Sequence, residues 1–123
     1  MKFLLSFTAV SGSLSVILGA FGAHALKDTL SAESLGYFHT AVEYQLIHTV
    51  AILVFVAFYR SWRNEWLIWG ARSMAAGIVF FSGSLYVLAL TTLKWVGPIT
   101  PLGGLFFIAG WICLLVAAYE YEH

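Results

Sequence analysis

The chain holds 123 residues, of which 61% are hydrophobic and only 10% charged, with a mean hydropathy of +0.89. Soluble domains carry roughly 25% charged residues, so this composition excludes an ordinary water-soluble fold and points to a membrane protein. Six basic residues balance six acidic ones, which excludes a basic face for nucleic acid and a polybasic segment for anionic lipid. The single cysteine, Cys113, sits in an apolar run, can form no disulfide within the chain and reads as a small packing residue.

After Lys2 the chain runs without charge from Phe3 to Ala23. At 1.5 Å per residue that stretch crosses a hydrocarbon core of about 30 Å, predicting a first transmembrane helix over about 3–23. A signal peptide is the rival, with Ala23-His24-Ala25 resembling a cleavage site, but apolar middles of such peptides run only about 7–15 residues. Small residues at Ser11, Ser15, Gly19 and Ala23 repeat every fourth position and predict a face for close helix packing.

The first loop, His24 to Phe38, holds Lys27, Asp28 and Glu33, with Ser31 placed to cap a short helix leading into the next span. Helix two is predicted over about 39–59 and helix three over about 66–90. Between them Arg60, Trp62, Arg63, Glu65 and Trp66 make a charged, tryptophan-bearing turn suited to a membrane interface. Arg72 lies one to two turns inside helix three, where its long stem can snorkel to the headgroups. After Lys94, Trp95 and Pro98, helix four is predicted over about 101–119. It carries Gly103, Gly104 and Gly110 and a second small stripe at Ala109, Cys113 and Ala117. The tail from Glu120 to His123 is polar, and the chain reads as a single all-α domain, a bundle of four transmembrane helices over residues 1–123.

Four spans place the N-terminus, the Arg60 turn and the C-terminus on one side. That side carries Lys2, Arg60, Arg63 and snorkelling Arg72 against Lys27 and Lys94 on the other, so both termini are expected in the cytoplasm. The most expensive residues enter helix two: Glu43, Tyr44, Gln45 and His48. Glu43 lies about 6 Å and His48 about 13 Å below His39. Ser82, Ser84 and Tyr86 in helix three reach about these levels, and His24 and Thr100 mark the adjoining ends of helices one and four. A polar pocket in the non-cytoplasmic half is the economical expectation, because groups that lipid cannot solvate can satisfy one another. At 100° per residue Glu43 and His48 are about 140° apart, so helix two must meet two neighbours or turn one face to another subunit.

Gly19-Ala-Phe-Gly-Ala-His24, Tyr44-Gln45-x-x-His48, Phe81-Ser-Gly-Ser-Leu-Tyr86 and Ile99-Thr-Pro-x-Gly-Gly104 with Gly110-Trp111 stand in this order along nearly the whole chain. In these four segments the sequence resembles the YgdD/YwdK-like family of small four-span membrane proteins, a domain of unknown function. The resemblance implies a multi-pass protein of the bacterial inner or plasma membrane, brings no established activity with it, and ranks Glu43 below Gln45 and His48 as a site residue.

Of the function classes, a scaffold or accessory membrane subunit is preferred, its polar residues fixing helix register and the choice of partner, whether a second copy or a larger membrane protein. The alternative is a small transporter or channel component for a proton, cation or small polar solute. No metal or cofactor is expected: a haem held by His24 and His48 would lack any supporting motif. No enzyme is expected either, since a Ser82, His48 and Glu43 triad would have Glu43 pointing away from His48.

Overall fold

A computed structural model describes residues 1–121; Glu122 and His123, the end of the polar tail, lie outside the described residues. The elements are α1 (Lys2–His24), α2 (Ala32–Trp62), α3 (Glu65–Gly77), a π turn (Ile78–Ser82), α4 (Gly83–Leu90), a 3-10 turn (Lys94–Val96) and α5 (Ile99–Glu120). With α3, the π turn and α4 forming one span, four segments are long and apolar enough to cross a membrane. The fold is an all-α membrane bundle.

Local chemistry sets the helix ends. Ser31 Oγ accepts from Ser34 N, but the short helix it was expected to open is continuous with helix two, so α2 begins seven residues before the predicted 39. At the other end Arg63 adopts φ 58°, ψ 28° and donates its N–H to Tyr59 O, which stops α2 in one residue. Asn64 then caps α3 by accepting from Trp66 N, while its side-chain amide donates to Glu120 and ties the turn to the end of α5. Arg72 is exposed, with its guanidinium 4.9 Å from the Trp69 ring centre near this same end.

The spans form a curved row more than a closed ring. α1 packs on α2, α2 on the α3–α4 span, and α5 chiefly on α3 and the π turn. Near the Arg60 turn the interior is purely apolar, built from Leu4, Ile52, Phe55, Ile68 and Met74 with Phe107 at its edge. Farther along, buried polar side chains such as Ser11, Gln45, His48 and Ser82 are set among apolar ones such as Phe38 and Leu85.

The two outer seams correct the expected small-residue stripes. On α1 the buried positions are Leu4, Thr8, Ser11, Ser15 and Gly22, whereas Gly19 is half-buried and Ala23 exposed. A strict four-residue repeat drifts 40° per step around a helix, so three steps carry Ala23 off the face; alternating steps of four and three stay on it. The same correction applies to α5, where Gly103, Phe107, Gly110 and Ala117 are buried, Cys113 is half-buried and Ala109 is exposed. Gly103 lies against the Phe81 backbone, so a Cβ there would come 2.2 Å from Phe81 N. Gly110 opposes Gly70, each carbonyl 3.1 Å from where the other's Cβ would stand. Gly104, grouped with them in the sequence, is less crowded: a Cβ there would make ordinary van der Waals contact with the Phe81 ring at 3.8 Å.

Candidate functional site

Two polar clusters grow from α2, on adjacent faces. Gln45 opens the first. Its Nε2 lies 3.1 Å from both the carbonyl and the hydroxyl oxygen of Ser11 on α1. A carbonyl can only accept, so the amide nitrogen must face Ser11, leaving Oε1 to accept from the Tyr86 hydroxyl on α4. Thr49 Oγ1 donates to Gln45 O at 2.6 Å, which leaves it to accept from Ser11 Oγ at 2.8 Å. Ser15 Oγ adds a bond to Ser11 O. Every proton in this chain has one consistent place, and the cluster joins α1, α2 and α4.

Its depth differs from expectation. Ser11 stands about 20 Å from the His24 end of α1 and about 14 Å from Lys2, at 1.5 Å per residue. The first cluster therefore lies near mid-membrane, deeper than the half bordered by His24.

The second cluster centres on His48, which is buried with 5% of its surface exposed. Its Nδ1 is 2.8 Å from Tyr44 O, four residues back on the same helix. Because that carbonyl cannot donate, Nδ1 carries the hydrogen, and Nε2 is free to accept from Trp111 Nε1 on α5 at 3.2 Å. The imidazole is thus neutral, with both nitrogens engaged. Its plane stacks on Phe107 at 3.7 Å between centroids, and Tyr44 packs on Phe81 at 4.7 Å. A cleft of about 530 Å³ runs beside this stack between α2 and α5, lined in part by Glu43, Tyr44, His48, Gly104 and Trp111.

Smaller bonds tie the third span to its neighbours. Ser82 Oγ donates from the π turn to Ala41 O of α2 at 2.8 Å. Ser84 Oγ donates to Phe81 O, so the contact between Ser84 and Thr100 has the threonine as donor and links α4 to the start of α5. Glycines at 77 and 83 bracket the π turn. It lies where the third span meets α2 through Ser82 and α5 through Phe81.

Of the residues singled out in the sequence, Gln45 and Tyr86 meet in the first cluster, Tyr44 and His48 in the second, and Ser84 and Thr100 in a third contact. His24 and Glu43 join none of them. His24 is exposed in the last turn of α1, and Glu43 is exposed on α2 at the lip of the cleft. No axial pair arises from His24 and His48, since the one faces outward and the other has both nitrogens occupied. Ser82 is likewise committed to a backbone carbonyl and does not meet His48. Three further participants lie outside the expected pocket: Ser11, expected only to pack, Thr49, and Trp111, whose indole N–H finds its acceptor in His48. Thr49 was findable, four residues from Gln45 and so on its face.

Among the described residues no buried side-chain nitrogen or oxygen lacks a partner, and no group of three or more His, Cys, Asp or Glu side chains stands close enough to hold a metal ion. Four apolar spans with their buried polar groups paired internally define a multi-pass integral membrane protein. Residues 18–104 match the family described as "Protein of unknown function (DUF423)". The chain is 45% identical over 117 residues to UPF0382 inner membrane protein YgdD of Escherichia coli (strain K12), covering 95% of this chain and 89% of that protein. It is 40% identical over 121 residues to UPF0382 membrane protein SAB0533 of Staphylococcus aureus (strain bovine RF122 / ET3-1), covering 98% of each. The chain belongs to this family, the DUF423 or UPF0382 membrane proteins. No solved structure matches it.

Proposed function

We propose that the protein is a small scaffold or accessory subunit of the bacterial inner (plasma) membrane, with both termini cytoplasmic, and not an enzyme. One observation carries this reading: the buried polar groups of the described residues are spent on each other and on backbone carbonyls, leaving none aimed at a ligand. Networks of this kind fix which helices pair and in what register. Connections between spans are short, the longest running from Thr91 to Pro98, so the surface offered to a partner is the membrane-facing one. The orientation rests on Lys2, Arg60, Arg63 and Arg72 at one end against Lys27 and Lys94 at the other. Relatives named as inner membrane proteins support the address.

The alternative, a transporter component for a proton, cation or small polar solute, is favoured by the cleft between α2 and α5 with Glu43 at its lip. Two measurements separate these. Photo-crosslinking residues at Leu105 and Leu115, both exposed on α5, should trap one membrane protein at fixed stoichiometry if the chain is a subunit. Purified protein in liposomes should move neither protons nor monovalent cations. Flux abolished by Glu43→Gln would overturn the scaffold reading in favour of transport.

A further inference from the structure

The outward face of α2 poses a problem that the polar clusters do not solve. Its exposed residues include His39, Glu43, Leu46, Val50, Leu53 and Ala57, whose spacing alternates four, three, four, three, four. At 100° per residue they fall within an arc of about 80°, which is a seam of 3.5-residue periodicity. Glu43 lies at one margin of this arc, about 6 Å below His39. Neither residue makes a hydrogen bond or ion pair among the described residues. His39 stands near the end of its span with its ring edge beside Gly22 of α1, and Glu43 is turned outward one turn deeper; an acid so placed without a partner is costly, and the cost falls if something polar covers it.

From this face we infer that the protein forms a parallel homodimer through α2, with His39 and Glu43 of one protomer meeting Glu43 and His39 of the other. Copies inserted by the same charge rule share one orientation, so a two-fold axis must stand along the membrane normal and the two α2 helices must run parallel. A 3.5-residue seam suits this, because it stays in contact along a left-handed crossing of about 20°. Charge complementarity chooses a second copy as the occupant. Side chains on a helix lean toward its N-terminus, so each Glu43 carboxylate tilts toward the level of His39. Two acids and two bases then surround the axis and can share hydrogen bonds crosswise. Below them Leu46, Val50, Leu53 and Ala57 supply an apolar contact that narrows toward the Arg60 turn, where alanine permits close approach. This dimer goes beyond the scaffold reading, shares only Glu43 with the lip of the cleft, makes no use of α5, and stands whether or not a third protein binds.

The test is disulfide trapping of full-length protein in its native membranes, in a Cys113→Ser background. Val50→Cys should give a covalent dimer on mild oxidation, and Leu105→Cys on the far side of the bundle should not. Added to Val50→Cys, His39→Glu would set four carboxylates around the axis and should lower the trapped fraction about tenfold, since both symmetric contacts are lost together. The exchange His39→Glu with Glu43→His should restore it. Apart from half-buried Cys113, these positions are exposed, and a monodisperse elution profile of each variant checks its fold. No trapping through Val50→Cys, equal trapping through Leu105→Cys, or failure of His39→Glu to reduce the dimer would overturn the proposal.

Discussion

The seam between α1 and α2 and the seam between α3 and α5 solve the same problem with different chemistry. Both follow alternating four- and three-residue steps, and both bring backbones close. The first is closed by hydrogen bonds: Ser11, Gln45 and Thr49 occupy positions that leucine would fill in water, and each donor has an acceptor. The second is closed mainly by close backbone approach, with Gly103 against Phe81 and Gly110 against Gly70, and carries one hydrogen bond, from Ser73 Oγ to Phe106 O at 2.7 Å. In a bilayer, lipid tails are as apolar as any side chain, so hydrophobic burial gives helices little reason to associate. Polar bonds and close van der Waals contact are what remain, and the two seams weight them differently. The α2 helix feels both, since Gln45 faces the hydrogen-bonded seam while His48, three residues on, stacks on Phe107 of α5.

The comparison can be broken most sharply at the glycine seam. Gly103→Ala drives a methyl into the Phe81 backbone, which cannot yield as a side chain tip could, and should cost about 3 kcal/mol by overpacking. Its neighbour Gly104→Ala places a methyl at ordinary van der Waals distance from the Phe81 ring and should stay within about 0.5 kcal/mol of wild type. Unfolding in mixed micelles followed by circular dichroism checks the pair, and equal effects would mean that α5 does not approach so closely.

His48→Ala comes next. It empties the stack on Phe107 and leaves the Trp111 N–H without an acceptor, an expected loss of about 2 kcal/mol. Tryptophan fluorescence should change as well, because the indole loses its bond.

On the hydrogen-bonded seam, Gln45→Ala removes three contacts at about 0.6 kcal/mol each, so about 2 kcal/mol, and Ser11→Ala about 1 kcal/mol. The sharper measurement is their coupling. A double-mutant cycle of Ser11→Ala with Gln45→Ala should be non-additive, whereas Ser11→Ala with His48→Ala should add, since the latter two share no partner. Non-additivity in both cycles would merge the clusters into one network. Arg72→Lys should be smallest of all, within about 0.5 kcal/mol, because Arg72 is exposed and either side chain can reach the headgroups.

Much of the site was legible because polar residues in a hydrocarbon-length run are conspicuous. Gln45, His48, Ser82, Ser84, Tyr86 and Thr100 stand out by their cost alone, and each makes a bond to another helix. Their pairing was not legible. Serine on α1 reads equally as a small residue or as a hydroxyl, and only the depth match with Gln45 decides that Ser11 acts as both. Glu43 shows the converse: conspicuous in the sequence, it faces away from both clusters, because a step of five residues from His48 turns it about 140°.

The sequence by itself determined the solvent and the span count, because runs of about 20 apolar residues between charged turns have few other solutions in water or lipid. It also determined which residues would need partners, through the cost of leaving them unpaired. Tertiary structure decided who those partners are. A four-residue repeat and a three-four alternation look alike over two turns and diverge over four, so the contacting face of α1 and α5 emerges only when a neighbouring helix selects it. The same holds for the π turn at Ile78–Ser82, which no local residue choice demanded and which lies where the third span meets α2 and α5.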